Sequence, residues 1–135
     1  MFLNIRRALP SDYQSIFSLD LLITGENRKE LLEKFLFGGW VYPANHNSNI
    51  TGFFLPTLDR GPIIASDYKA GLNLLKFKLS LGHNNFGIPE NNLIALNFLL
   101  DQGFQVQYTL PRMELGNNIN WHQEGVFNIG SYFCG

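Results

Sequence analysis

Three strand-like runs follow one another at residues 40–42, 50–58 and 62–65, with helical periodicity on both sides of them. Consecutive strands pair most simply as neighbours, and helices before and after them need a sheet to cover, so the chain is limited to a layered sheet-and-helix fold. Upstream, residues 2–9 alternate Phe2, Asn4 and Arg6 with Leu3, Ile5 and Arg7, a half-buried strand that Pro10 ends. Ser11 can cap a short helix over 12–19 that puts Tyr13, Ile16, Phe17 and Leu19 on one side. A second helix over 28–37 repeats Leu31, Leu32, Phe35 and Leu36 until Gly38-Gly39 stops it.

Beyond the third strand, Asp67 is an N-cap for a helix running to about Leu81, with a stripe of Leu72, Leu75 and Leu79 flanked by Leu74 and Phe77. Residues 82–87 (GHNNFG) hold a loop and one short strand. Pro89 introduces a helix from Asn91 or Asn92 to Gln102, with Ile94, Ala95, Phe98 and Leu99 inward and Gly103 at its end. A long strand over 104–115, interrupted by Pro111, a polar loop over 117–125 and a closing strand over 126–133 complete the chain. The expectation is an α/β (α+β) fold: one domain over 1–135, with about seven strands in a mixed, mostly antiparallel sheet and helices on both faces.

Hydrophobic residues make up 45% and charged residues 16%, enough apolar surface for a core and too little charge for a disordered chain. Ten Lys and Arg against eleven Asp and Glu leave no basic surface for nucleic acid. The lone Cys134 closes no internal disulfide, no Cys/His cluster supplies a metal site, and no stretch approaches a membrane span, so a soluble cytoplasmic protein without a metal is expected.

Asn92, Ala95, Leu99, Gly103 and Phe104 fall on the spacing N-x-x-A-x-x-x-Y-x-x-x-G-F, with Leu99 in place of the tyrosine. That segment, with the order of elements, resembles the GNAT acyltransferases, which carry it from their fourth helix into the next strand. Leu19-Asp20, Thr24-Gly25, Arg28, Leu31-Leu32, Gly52-Phe53, Gly61-Pro62, Ala65 and Arg112-Met113 are similar to the C-terminal domain of two-domain bacterial GNAT proteins. The resemblance covers nearly the whole chain. It implies a GNAT-like fold, acetyl-CoA as co-substrate and direct transfer of its acyl group to a small-molecule primary amine. It also implies a partner in the form of a companion GNAT subunit or a second copy, a homodimer pairing through the apolar 126–133 strand.

By that resemblance, Ile63, Ile64 and Ala65 offer backbone groups to the pantetheine arm, Ser66 and Gly71 belong to the pyrophosphate loop, and Asn92 lies near the coenzyme. The bland alternatives are a buried central strand for 63–65 and a simple helix cap for Asn92. The chain departs from the family at two points. Ser66-Asp67-Tyr68-Lys69-Ala70-Gly71 stands where R/Q-x-x-G-x-G/A would hold the diphosphate, so Asp67 brings a carboxylate to an anion site, partly offset by Lys69. Leu99 has no proton to give the departing thiolate; Tyr68, Tyr108 or Cys134 replaces that donor only where the fold brings one near. These losses open a second reading, a catalytically degenerate GNAT-like module that binds a small metabolite or a partner acetyltransferase subunit.

Asp20 and Arg28 form either a buried ion pair at a helix end or a site for a charged substrate. Arg112 and Glu114, two apart on one face of the penultimate strand, either reach an acidic ligand or neutralise each other. His46, His83 and His122 sit in polar loops, none with a carboxylate at a motif spacing, and read as solvated. Trp40 reads as core; Trp121 reads as exposed or at an interface.

Overall fold

The computed structural model describes residues 4–43, 49–106 and 122–129. Strands β1 (Arg6–Arg7), β2 (Trp40–Pro43), β3 (Ile50–Phe54), β4 (Ile63–Ala65) and β5 (Val126–Asn128) form one sheet in that order, each antiparallel to the next. The helices are α1 (Tyr13–Thr24), α2 (Lys29–Glu33), α3 (Tyr68–Ser80) and α4 (Leu93–Asp101).

Strand alternation sorts the sheet into two apolar faces. Val41, Phe53, Ile64 and Val126 stand opposite one another across four strands, and pack with Ile16, Leu19 and Ile23 of α1 and Leu32 of α2. Tyr42, Phe54, Ile63, Ala65 and Phe127 point the other way, onto Ala70, Leu74 and Leu75 of α3 and Ala95 and Leu99 of α4. The sheet is thus covered on both faces, as expected.

Helix α3 sits very close to this sheet. A Cβ on Gly52 of β3 would lie 2.9 Å from Leu74 and 3.2 Å from the Ala70 methyl. One on Gly71 of α3 would lie 2.3 Å from the Phe127 ring. Two missing side chains, one on each partner, set the spacing.

The differences from expectation have local causes. Among the described residues the sheet has five strands rather than about seven. The strand expected within 82–87 does not form, because Gly82 turns the chain with φ 89° and Gly87 donates its N–H to the Asn128 side chain at 2.8 Å instead of joining a ladder. Residues 104–106 are not in a strand, and 107–115 and 130–133 lie outside the described residues. Helix α1 continues past Leu19 to Thr24, since Leu21, Leu22 and Ile23 sustain it until Gly25 adopts the left-handed conformation at φ 74°. Helix α2 keeps only Lys29–Glu33 of the expected span. On α3 the buried side is Ala70, Gly71, Leu74, Leu75 and Lys78, so Leu72 and Leu79 are only half-buried.

Lys78 therefore occupies a core position at 2% exposure. Its ammonium contacts His83 Nδ1 at 2.8 Å and lies 4.9 Å from the centre of the Phe86 ring, with no carboxylate paired to it among the described residues. Burial lowers its pKa from 10.5 to about 8. The unfolded chain holds this proton up to higher pH than the folded one, so the penalty is complete below about pH 8 and fades as pH rises toward 10.5. Lys78→Met is expected to stabilise the fold by about 1–3 kcal/mol at pH 7, with the gain shrinking above pH 8. Urea denaturation of both proteins from pH 7 to 10 measures it.

Candidate functional site

The C-terminal end of β4, the starts of α3 and α4, and the end of α1 meet at one pole of the molecule. The chain leaves β4 at Ala65 and turns through Ser66, whose N–H donates to the Thr51 carbonyl at 2.8 Å. Residues 66–69 are all exposed. Asp67 then caps α3: its carboxylate accepts the Ala70 N–H at 2.8 Å, and its carbonyl accepts the Gly71 N–H at 3.2 Å. The first turn of a helix has N–H groups without intrahelical partners, and those of Tyr68 and Lys69 have no partner among the described residues. Asp67 so occupies only part of this anion-favouring end.

Asn92 begins α4 in the same way, its Oδ1 accepting the Ala95 N–H at 3.1 Å. Its amide nitrogen donates to the Val126 carbonyl at 2.8 Å and the Glu124 carbonyl at 3.4 Å, which ties α4 to the entrance of β5. Buried at 2% exposure, it acts as a cap and a cross-link. Gly125 lies against the Ala65 carbonyl and Ile23, where a Cβ would be 2.7 Å from each. His122 donates its N–H to the Ile23 carbonyl at 2.6 Å.

At the end of α1, Arg28 grips Asp20 with two parallel bonds, Nε to Oδ2 at 3.0 Å and Nη2 to Oδ1 at 2.5 Å. The Asp20 side chain is 1% exposed and that of Arg28 12%, so the pair is a buried, charge-assisted clamp that fixes the turn between α1 and α2. Thr24 closes the helix end, its hydroxyl donating to the Asp20 carbonyl at 2.7 Å.

Residues 16–128 match the profile of a family described as an acetyltransferase (GNAT) domain. The chain belongs to that family. No curated protein and no solved structure matches it.

Seen as a GNAT domain, the pole holds Ala65, Ser66 and Asn92 from the expected set, with Ile63 and Ile64 leading into it, while Asp20 and Arg28 bond each other at the end of α1. The backbone of β4, however, is bonded to β3 on one side and to β5 at Ile63 and Ile64 on the other. It is a buried central strand, and a pantetheine arm added alongside it would have to displace β5. Gly71 faces Phe127 instead of the exposed turn, so its lack of a side chain serves packing. Arg112 and Glu114 lie outside the described residues, as do Tyr108, Cys134, His46 and Trp121. Leu99 is buried in the α3–α4 core, and Tyr68, 63% exposed at the start of α3, is a phenol carried on this pole. Trp40 packs edge-on against Phe77 at 4.8 Å, with the Arg7 guanidinium 4.4 Å from its ring centre.

Two histidines expected to be solvated make side-chain contacts. His122 has a carboxylate after all, Glu124 Oε1 at 3.4 Å from Nδ1, brought round by the single helical turn Gln123–Gly125. His83 meets Lys78, a lysine whose i+4 spacing from Leu74 was a visible sign of burial. Among the described residues no group of three His, Cys, Asp or Glu side chains could hold a metal, and no helix is long and apolar enough to cross a membrane.

Gly71→Ala is expected to cost about 1–3 kcal/mol by forcing Phe127 aside, a loss visible in urea denaturation without any ligand. Asp20→Asn should cost about 1.5–3 kcal/mol because it removes the carboxylate charge from its two buried bonds to Arg28; a lowered urea midpoint for this variant tests the clamp.

Proposed function

We propose that the protein is an acyl-CoA-dependent N-acetyltransferase, moving an acetyl group directly to the nitrogen of a small primary amine in the cytoplasm. The observation that supports this reading best is the exposed start of α3 immediately after β4, where Asp67 leaves the Tyr68 and Lys69 N–H groups for an anion. Those groups and the Lys69 ammonium would hold the coenzyme diphosphate. In the transfer, the amine nitrogen bonds to the thioester carbon, the carbon–sulfur bond breaks, the nitrogen loses a proton, and the thiolate gains one. Tyr68 is the described candidate for that second proton. Asp20 and Arg28 would shape the acceptor side by fixing the α1–α2 turn, and Arg112 and Glu114 would contact the acceptor.

A second reading has its own support. The Asp67 carboxylate at the helix start and the pairing of both β4 edges suit a non-catalytic GNAT-like module that binds a metabolite or a partner acetyltransferase subunit. Thermal unfolding with acetyl-CoA, free coenzyme A and desulfo-coenzyme A separates the two. At 100 times its dissociation constant a ligand stabilises a fold by about 2.7 kcal/mol, several degrees for a domain of this size. A saturable shift is expected, and Asp67→Asn, which keeps the cap and removes the charge, should tighten binding by about tenfold. A flat titration of the folded protein and of this variant leaves the partner module as the function.

A further inference from the structure

At the end of α3 opposite this pole, the segment 82–88 is fastened at two points. Near its start His83 Nδ1 takes the Lys78 ammonium at 2.8 Å. Near its end, Gly87 donates to Asn128 Oδ1 and accepts from the Ile129 N–H, both at 2.8 Å. Asn128 is fully buried and also donates to the Arg60 and Gly61 carbonyls at 2.9 and 2.8 Å, so the second fastening joins the segment to β5 and to the turn before β4.

Only the first fastening can titrate. The ammonium is already the donor in the Lys78 contact, so the imidazole must present a bare nitrogen to it. Protonating His83 removes that lone pair and sets two cations side by side where Lys78 is buried. Phe86 lies over the ammonium, and Phe54 of β3 meets the imidazole edge-on with centroids 6.5 Å apart. Neither ring can take up the added charge as a carboxylate would. Among the described residues Lys78 is the charged side chain that faces His83, and no carboxylate is paired with either group.

We propose that segment 82–88 is an acid-released latch, closed on α3 while His83 is neutral and opened when His83 gains a proton. Burial, and after it the Lys78 charge, hold the His83 pKa below its ordinary 6.5, whereas the shift at Lys78 comes from burial. The unfolded or released histidine binds a proton more readily than the latched one, so the fastening is intact above pH 6.5 and is lost as pH falls below it. Release would free Gly87 to leave Asn128, and so slacken the outer side of β5 and the connection into Asn92 at the functional pole.

Amide hydrogen exchange of the full chain at pH 7.5 and 5.5, corrected for intrinsic rates, tests the latch directly. Protection in 82–88 should fall by about tenfold more than protection in α1. His83→Gln supplies an acceptor that does not titrate and should abolish the extra loss; Lys78→Met removes one of the two cations and should also reduce it. An equal loss in the wild type and in either variant, or no extra loss in the wild type, overturns the proposal. The readout is independent of acetyl-CoA, so it stands or falls apart from the proposed activity.

Discussion

The close seat of α3 on the sheet is the constraint from which the rest follows. Gly52 and Gly71 remove the two side chains that would hold helix and strands apart, and Phe127 fills the space against Gly71. With the helix this near, its start is brought to the end of β4, and its last turns carry Lys78 under the Phe86 ring and against His83, whose imidazole meets Phe54. One packing contact thus determines where the anion-favouring helix end lies and why a lysine is buried at the opposite end. A longer strand crossing would permit the same helix to sit higher, with Lys78 reaching solvent as lysines usually do.

Buried polar groups complete what the short strands leave unfinished. Strand β5 has three residues, too few for a ladder to hold it alone, and two asparagines supply the missing bonds. Asn92 bonds the Val126 carbonyl from the start of α4, and Asn128 bonds both the turn before β4 and Gly87. Because both amides are satisfied, they cross-link layers without the cost of an orphaned group. The Asp20–Arg28 pair does the same for the α1–α2 turn with charges. Function and fold overlap here, since the residues that shape the pole also close the sheet.

The order of elements, the two-faced sheet and the helix caps Asp67 and Asn92 were legible because each rests on short-range chemistry: alternation, helical spacing, and a side-chain oxygen reaching the N–H of the third helical residue. The family resemblance lay in local spacing as well, at Asn92, Ala95, Gly103 and Phe104. What was hidden depends on distant chain meeting. Nothing near Gly87 announces that Asn128, forty-one positions away, will take its N–H and forestall a strand. The buried side of α3 departs from the expected stripe at Leu72 and Leu79, which look equivalent to Leu74 and Leu75 until Gly52 is known to lie beneath the helix. Likewise a carboxylate two residues after His122 is at no motif spacing, and only a tight turn brings it near.

The two rims of the sheet, over the described residues, share a property. Among the described residues one rim is β1, two arginines long; at the other, the Val126 carbonyl and the Ile129 N–H are taken by the Asn92 side chain and by Gly87. A bare strand edge is a template on which a foreign strand can continue the sheet, and brevity, positive charge and side-chain cover are the means by which proteins deny it. Over its described residues this sheet therefore discourages accretion by backbone pairing.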